Sequence, residues 1–151
     1  TLYRSDNLSK IEAGPFINKI IKFVFKSYQI NPLQVKLKTE FDDIKLNIEQ
    51  ATPLGLVINE LASNTLKHAF PKGKKGEFSI DMKKLDDNEL ELTIKDNGVG
   101  FPAEANWKNQ SGLGLQLVKA LVEKQLKGTL QVAESKSSQF IIRFKNKNLP
   151  I

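Results

Sequence analysis

Two alternating runs, "EFSIDMKKL" (Glu77 to Leu85) and "ELELTIKD" (Glu89 to Asp96), stand on either side of Asp86-Asp87-Asn88. Alternation of apolar and polar side chains is the period of a strand with one covered face, and Asp and Asn suit the turn between two such strands. The pair is expected as an antiparallel hairpin. Its apolar side needs a covering layer, and the rest of the chain supplies one.

"EAGPFINKIIKFVFKSY" (Glu12 to Tyr28) reads as a helix, with Pro15 in its first turn and Phe16, Ile20, Phe23 and Val24 at helical spacing. Gln34 to Glu40 alternates like a strand, and Ile44 to Ile48 is a second, shorter candidate. A helix is expected from about Pro53 to Ala69, stopped by Phe70-Pro71 and a lysine–glycine turn. "LGLQLVKALVEKQLKG" places Leu115, Val118, Leu121, Val122 and Leu126 on one helical face, with Gly128 as its stop. "TLQVAES" and "QFIIRFK" close the chain as a second hairpin. The order helix, strands, helix, hairpin, helix, hairpin implies the α+β class: a two-layer α/β sandwich, with helices on one face of a mixed β-sheet. It is not the β-α-β alternation of a Rossmann fold.

Composition narrows the chemistry. The 151 residues suit one domain, and the absence of cysteine excludes disulfides and thiolate sites. The longest apolar run, "IIKFVF" (Ile20 to Phe25), is too short to span a bilayer. A net charge of +6 permits phosphate or nucleic-acid partners. The lysines are scattered apart from "KGKK" (Lys72 to Lys75), however, and aromatics are not interleaved with them. No nucleic-acid partner and no direct membrane contact are expected. With His68 the single histidine, a histidine zinc cluster is excluded. Walker A, GxGxxG and eukaryotic-type kinase motifs are all missing. A divalent metal here would be hard and oxygen-bound, held by Asn64 and substrate phosphates.

Three polar features remain. In "NELASNTLKHAF" (Asn59 to Phe70), Glu60, Asn64, Lys67 and His68 share an arc of about 100° on the helix. Leu54, Ile58, Leu61, Ala62, Thr65, Leu66 and Ala69 form the packing side. Taken alone, the arc is either a solvated face or a metal-and-phosphate wall. "DNGVGF" (Asp96 to Phe101) ends a strand and is either a tight turn or a surface where a flat ligand meets backbone at Gly98 and Gly100. "SGLGL" (Ser111 to Leu115) opens the third helix and is either a flexible start or an anion cradle of free N–H groups.

In this order the three resemble the N, G1 and G2 boxes of the GHKL ATPase superfamily, whose nucleotide site is called the Bergerat fold. The resemblance runs from about Thr52 to Phe144. "GLGLQLVKALVEKQLKGTL" is most similar to the ATP-binding catalytic domain of sensor histidine kinases. "LYRSDNLSKIEAGPFINKIIKFVFKSY" is similar to the stretch after the dimerisation hairpin in a PAS-linked subfamily. Residues 1–11 are accordingly expected as the end of a linker from that hairpin, and 12–151 as the catalytic domain of a longer protein.

The resemblance implies ATP and Mg²⁺ as ligands. It assigns Asn64 to the metal and Lys67 and His68 to the phosphates. Glu60 stands where ATP-hydrolysing members keep a water-activating glutamate, as base or as orienter. Asp96 would bind the adenine amino group, Gly98 and Gly100 would admit the base, and Gly112, Leu113, Gly114 and Leu115 would cap the phosphates. The implied reaction is transfer of the γ-phosphoryl group to a histidine on an upstream dimerisation domain, for later capture by a response regulator receiver domain. The whole protein is expected as a homodimer with this part in the cytoplasm, whether or not the parent is membrane-anchored. His68, inside the N box, is not the phosphoacceptor. The lid between Gly100 and Gly112 is short and lacks a separate phenylalanine box, since Phe101 belongs to G1. Trp107, within it, is expected to report nucleotide binding. The alternatives are a serine kinase of the anti-sigma type and a non-catalytic nucleotide-binding interaction module of the same fold.

Overall fold

In the computed structural model, which describes residues 10–68, 70, 74–98, 113–134 and 138–147, a short strand β1 (Ile11–Glu12) leads into helix α1 (Ala13–Ser27). Strands β2 (Val35–Phe41) and β3 (Lys45–Leu46) follow, then helix α2 (Ile48–His68). Next comes the expected hairpin, β4 (Gly76–Lys84) and β5 (Glu89–Asp96). Helix α3 (Leu113–Ala120) continues into a π-helical turn, Leu121–Gln125, before the second hairpin, β6 (Thr129–Glu134) and β7 (Ser138–Lys145). The main sheet has five strands in the order β2-β4-β5-β7-β6, while β1 pairs with β3 apart from it. Strands β2 and β4 are parallel and the other pairs antiparallel, so the sheet is mixed, as the α+β reading requires.

Pairing register gives the sheet its two faces. Phe78, Ile80 and Met82 of β4 lie opposite Asp96, Ile94 and Leu92 of β5. Ile94, Leu92 and Leu90 in turn oppose Phe140, Ile142 and Phe144 of β7. Paired residues share a face, so these form one continuous apolar surface, buried throughout. The helices bring Ile17 and Ile21 (α1), Leu54, Ile58 and Leu61 (α2), and Leu115, Val118 and Val122 (α3 and its π turn) onto the same core. Each fully buried side chain of this kind contributes roughly 1.5–3 kcal/mol. Helices α1 and α2 run close together. A Cβ added at Gly55 would stand 3.0 Å from Cζ of Phe16 and 3.3 Å from Cδ1 of Ile20.

The opposite face is polar. Lys38 pairs with Glu77 at 3.1 Å and Arg143 with Glu91 at 2.8 Å, both partly exposed and so of small net worth. Burial holds the Asp81 carboxyl above its ordinary range, with Lys83 and Lys95 pulling it down and Glu40 and Glu91 pushing it up. Its contribution to stability is therefore full below the ordinary carboxylate range and is lost as pH rises through the raised value.

Several boundaries differ from the sequence expectation. Helix α2 begins at Ile48, ahead of Pro53, and the second short strand shrinks to Lys45–Leu46. The cause is an N-cap. Asn47 Oδ1 accepts the Gln50 N–H at 2.9 Å, and the Asn47 carbonyl accepts that of Ala51, also at 2.9 Å. Pro53 thus sits inside the helix, past its first turn, and leaves the Glu49 carbonyl without the i+4 N–H it would otherwise accept. Between β4 and β5, Asp87 (φ 59°) and Asn88 (φ 61°) are both left-handed, and Glu89 N–H closes the turn on Asp86 O at 3.2 Å. Both central residues are left-handed as in a type I′ turn, but the Leu85 N–H donates to Glu89 O at 2.7 Å and Lys84 pairs with Leu90, so the connection spans the three residues Asp86 to Asn88.

The end of the third helix also departs from a simple glycine stop. The left-handed residue is Lys127 (φ 56°), one position before Gly128. Gly128 is required for a different reason: a Cβ there would collide with the Arg143 carbonyl oxygen and lie 2.9 Å from Cβ of Phe144 on β7. Gly128→Ala should therefore lower stability by about 1–3 kcal/mol or more through overpacking. Lys127→Gly should leave stability unchanged or raise it, because it removes left-handed strain. Urea unfolding of the two variants checks the distinction; equal midpoints would place the glycine requirement elsewhere.

Candidate nucleotide-binding site

Helix α2 lies between α1 and α3 and also touches β5, so the polar arc belongs to an element packed on several sides. Glu60 and Asn64, one turn apart, are half-buried. Among the described residues the Asn64 amide has no hydrogen-bond partner. Lys67 lies at the edge of the arc nearest α1, where its ammonium sits 5.6 Å from the ring centroid of Tyr28, just past the end of that helix. This is a cation–π contact that nothing in the local sequence signals. His68 closes α2. Thr65, assigned by periodicity to the packing side, is indeed buried, but its hydroxyl has no partner among the described residues. A buried orphan hydroxyl beside Asn64 marks polar capacity that side-chain packing does not use.

The end of β5 is built to hold a carboxylate. Asp96 opposes Phe78 and so occupies the last position of the apolar row facing the helices, with 4% of its surface exposed. Its Oδ1 accepts the Gly98 N–H at 2.8 Å, an Asx turn that directs the chain out of the strand. Asn97, read from sequence only as turn vocabulary, does more. Its Oδ1 accepts the Glu77 N–H at 2.6 Å, and its own N–H donates to Glu77 O at 3.1 Å. Gly76, which the sequence reading passed over, lies where a Cβ would strike the Phe70 ring and stand 2.8 Å from Asn97 Oδ1. Phe70 is buried there. The end of the N-box segment is thereby packed against the start of β4, and β4 is tied to the residues after Asp96. The signal available in sequence was Gly76 itself, immediately before an alternating run.

Of the remaining expected site residues, Leu113 and Gly114 begin α3, and Leu115 is buried on it. Gly100, Gly112 and Trp107 lie outside the described residues. The described residues thus include the C-terminal half of α2, the Asp96–Gly98 turn and the α3 start, and α2 packs on both β5 and α3.

The donor chemistry fits a magnesium nucleotide. Asn64 offers the hard amide oxygen that such a cation accepts, and Asp96 offers a buried acceptor for an amino group. Among the described residues no group of three or more His, Asp or Glu side chains could hold a metal ion unaided, so phosphate oxygens would complete the coordination.

Comparison with known proteins bears on this arrangement. Residues 49–148 match the family described as "Histidine kinase-, DNA gyrase B-, and HSP90-like ATPase". Blue-light-activated histidine kinase 2 of Erythrobacter litoralis is 29% identical over 89 residues, which cover 59% of this chain and 26% of that protein. Sensor histidine kinase PdtaS of Mycobacterium tuberculosis is 33% identical over 92 residues, 60% of this chain and 18% of that protein. The chain thus spans about a quarter or less of these relatives. The solved histidine kinase domain of the Erythrobacter litoralis blue-light activated histidine kinase superposes with a TM-score of 0.81 at 23% identity, over 96% of this chain and 70% of that one. At that identity the likeness speaks for the fold. The family match covers all three polar motifs, from the arc on α2 to the start of α3. The chain belongs to the histidine kinase-, DNA gyrase B- and HSP90-like ATPase family.

Proposed function

We propose that the chain is the ATP-binding catalytic domain of a sensor histidine kinase, residues 12–151, following a linker that ends near residue 11. It presents the γ-phosphoryl group of Mg-ATP to a histidine on an upstream dimerisation domain. A response regulator receiver domain then takes that group, and the full-length protein works as a cytoplasmic homodimer. The observation that carries the reading is Asp96: a nearly inaccessible carboxylate ending the apolar row of a strand that α2 packs against, in a chain whose family is defined as ATPases.

In this reading Asp96 accepts a hydrogen bond from the adenine amino group, and its bond to the Gly98 N–H fixes the carboxylate's orientation. Gly98 and Gly100 leave room for the base. Asn64 holds Mg²⁺, which supplies charge neutralisation on the phosphates. Lys67 leaves the Tyr28 ring to reach them, with His68 beside it, and Glu60 acts on the attacking group as base or as orienter. The backbone from Gly112 through Leu113 and Gly114 to Leu115 caps the phosphates at the start of α3. Positioning and charge neutralisation are what phosphoryl transfer chiefly needs from a protein.

Asp96→Asn keeps the shape but turns a donor toward the adenine amino group. A mismatched buried polar pair costs about 1–3 kcal/mol, so ATP affinity should fall roughly ten- to hundredfold in a titration of the folded variant. Unchanged affinity would remove Asp96 from the site.

Asn64→Ala should instead abolish the tightening of ATP binding by Mg²⁺ while leaving affinity in the presence of a chelator near the parent value. A full Mg²⁺ effect in the variant would mean that another group holds the metal.

The phosphoryl acceptor is tested with labelled ATP. The isolated chain should bind nucleotide without labelling itself. Added upstream helical segment should acquire acid-labile, base-stable label, slowly, because tethering normally supplies an effective concentration of about millimolar. Acid-stable label on a serine would favour the anti-sigma type instead, and label on this chain alone would overturn the reading.

A further inference from the structure

Helix α1 carries more apolar surface than the core uses. Its buried side is Ala13, Ile17, Ile21 and Val24. A second stripe, Phe16, Ile20 and Phe23, stands about 90° round the helix from it. Phe16 and Ile20 are only partly buried, and Phe23 is 67% exposed. Gly55 of α2 lies against Phe16 and Ile20, and farther along Lys67 meets Tyr28, so the two helices run side by side in the same direction. Where their seam reaches the surface it opens into a groove of about 350 Å³, lined by Ile20 and Phe23 of α1 and by Thr52, Leu56 and Asn59 of α2. Leu56 is 49% exposed, and Ile48, two turns before it on α2, is 52% exposed. Single exposed apolar residues are ordinary, but a helix that is apolar on two sides is built to be covered on both.

Charge along this seam has one sign. Lys19 also lines the groove, and Lys22 and Lys26 stand exposed on the same side of α1. None of the three is ion-paired among the described residues, and α1 contains no acidic residue. No carboxylate lines the groove. Glu49 and Glu60 of α2 lie about 120–140° round that helix from Gly55, on the side turned from α1.

We propose that this groove receives an amphipathic helix of a partner protein, its apolar side seated between Phe23 and Leu56 and its acidic side chains along the flank nearest Lys19, Lys22 and Lys26. Both walls are helices whose mid-length backbone groups are already bonded within them, so an extended segment would find no backbone partners here. A helix brings its own backbone satisfied and needs only side-chain contacts. The length also suits one: Thr52 to Asn59 spans about 10 Å along α2, the rise covered by apolar side chains at i, i+3 or i+4 and i+7. Apolar contact provides the hold, and the unpaired lysines on one flank select the sign of the incoming helix and its orientation in the groove.

The test uses a labelled helical peptide of about four turns, with leucines on one side and glutamates along one flank, titrated onto the 151-residue chain by fluorescence anisotropy. Two controls accompany it: the same peptide with lysine for glutamate, and an isomer with its leucines scattered. Saturable binding of the glutamate peptide is expected, weakening with salt, and both controls should bind at least tenfold more weakly. Phe23→Ser, at an exposed position and so harmless to the core, should weaken binding at least tenfold. Lys19→Gln/Lys26→Gln should remove the preference for glutamate over lysine. Absence of binding below about 1 mM peptide would overturn the proposal, as would equal binding of the three peptides or an unchanged affinity in Phe23→Ser. Dimerisation of the free chain that Phe23→Ser abolishes would give the groove to a second copy instead. Cosedimentation with phosphatidylserine vesicles that Phe23→Ser abolishes would give it to a membrane surface. Either result overturns the partner helix. ATP affinity should be the same in Phe23→Ser as in the parent chain, so a failure of the catalytic reading shows separately.

Discussion

The register of the β4–β5 hairpin sets Asp96 opposite Phe78 and so decides which side of the sheet receives the carboxylate. Side chains alternate with a period of two. A slip of one residue would carry Asp96 to the open polar face and bring Lys95 into the core, along with every other exchange in the row. Two devices hold the register. The Asp87-Asn88 turn fixes the hairpin at one end, and the Asn97 side chain clamps the first residues of β4 at the other. β7 then repeats the alternation against β5, so three strands must agree before the carboxylate can face α2.

Helix α2 completes the arrangement by carrying two kinds of surface. Its packing side is buried on the sheet, and Gly55 lets Phe16 and Ile20 of α1 approach its backbone. The polar arc is left over after those contacts are made, which is why Glu60 and Asn64 are half-buried rather than free in solvent. Lys67 illustrates the boundary between the two surfaces: its ammonium rests on Tyr28, a contact weak enough for the side chain to be redirected.

Much of this was legible in the sequence because it depends on neighbours along the chain. Alternation identified both hairpins, helical spacing identified the packing side of α3, and the three polar motifs pointed to the family; on α1 the spacing of Phe16, Ile20, Phe23 and Val24 gave a face rotated from the observed one, where Ala13, Ile17, Ile21 and Val24 are buried and Phe23 is 67% exposed. The failures have local and long-range causes. Asn47 and Gln50 stand at capping distance, a usable signal, but Pro53 was read as the helix start and obscured it. Gly128 looked like a left-handed stop; its requirement comes instead from the close passage of β7, which no window around Gly128 contains. The parallel pairing of β2 with β4, the Lys67–Tyr28 contact and the orphan hydroxyl of Thr65 likewise depend on which distant segments meet. The π turn that continues α3 has no counterpart in the helical periodicity, which reads straight through it.

Gln50 joins the first turn of α2 to the far end of the chain. Its Nε2 donates to the Lys145 carbonyl at 2.6 Å, across 95 residues, and its Oε1 accepts the Lys147 N–H at 3.0 Å, across 97. Gln50 is 3% exposed, so the two bonds satisfy an amide that would otherwise be buried without partners. Closing these two bonds joins segments nearly a hundred residues apart, so the loop-closure entropy they must overcome is large and the contact belongs with the non-local pairings that slow folding.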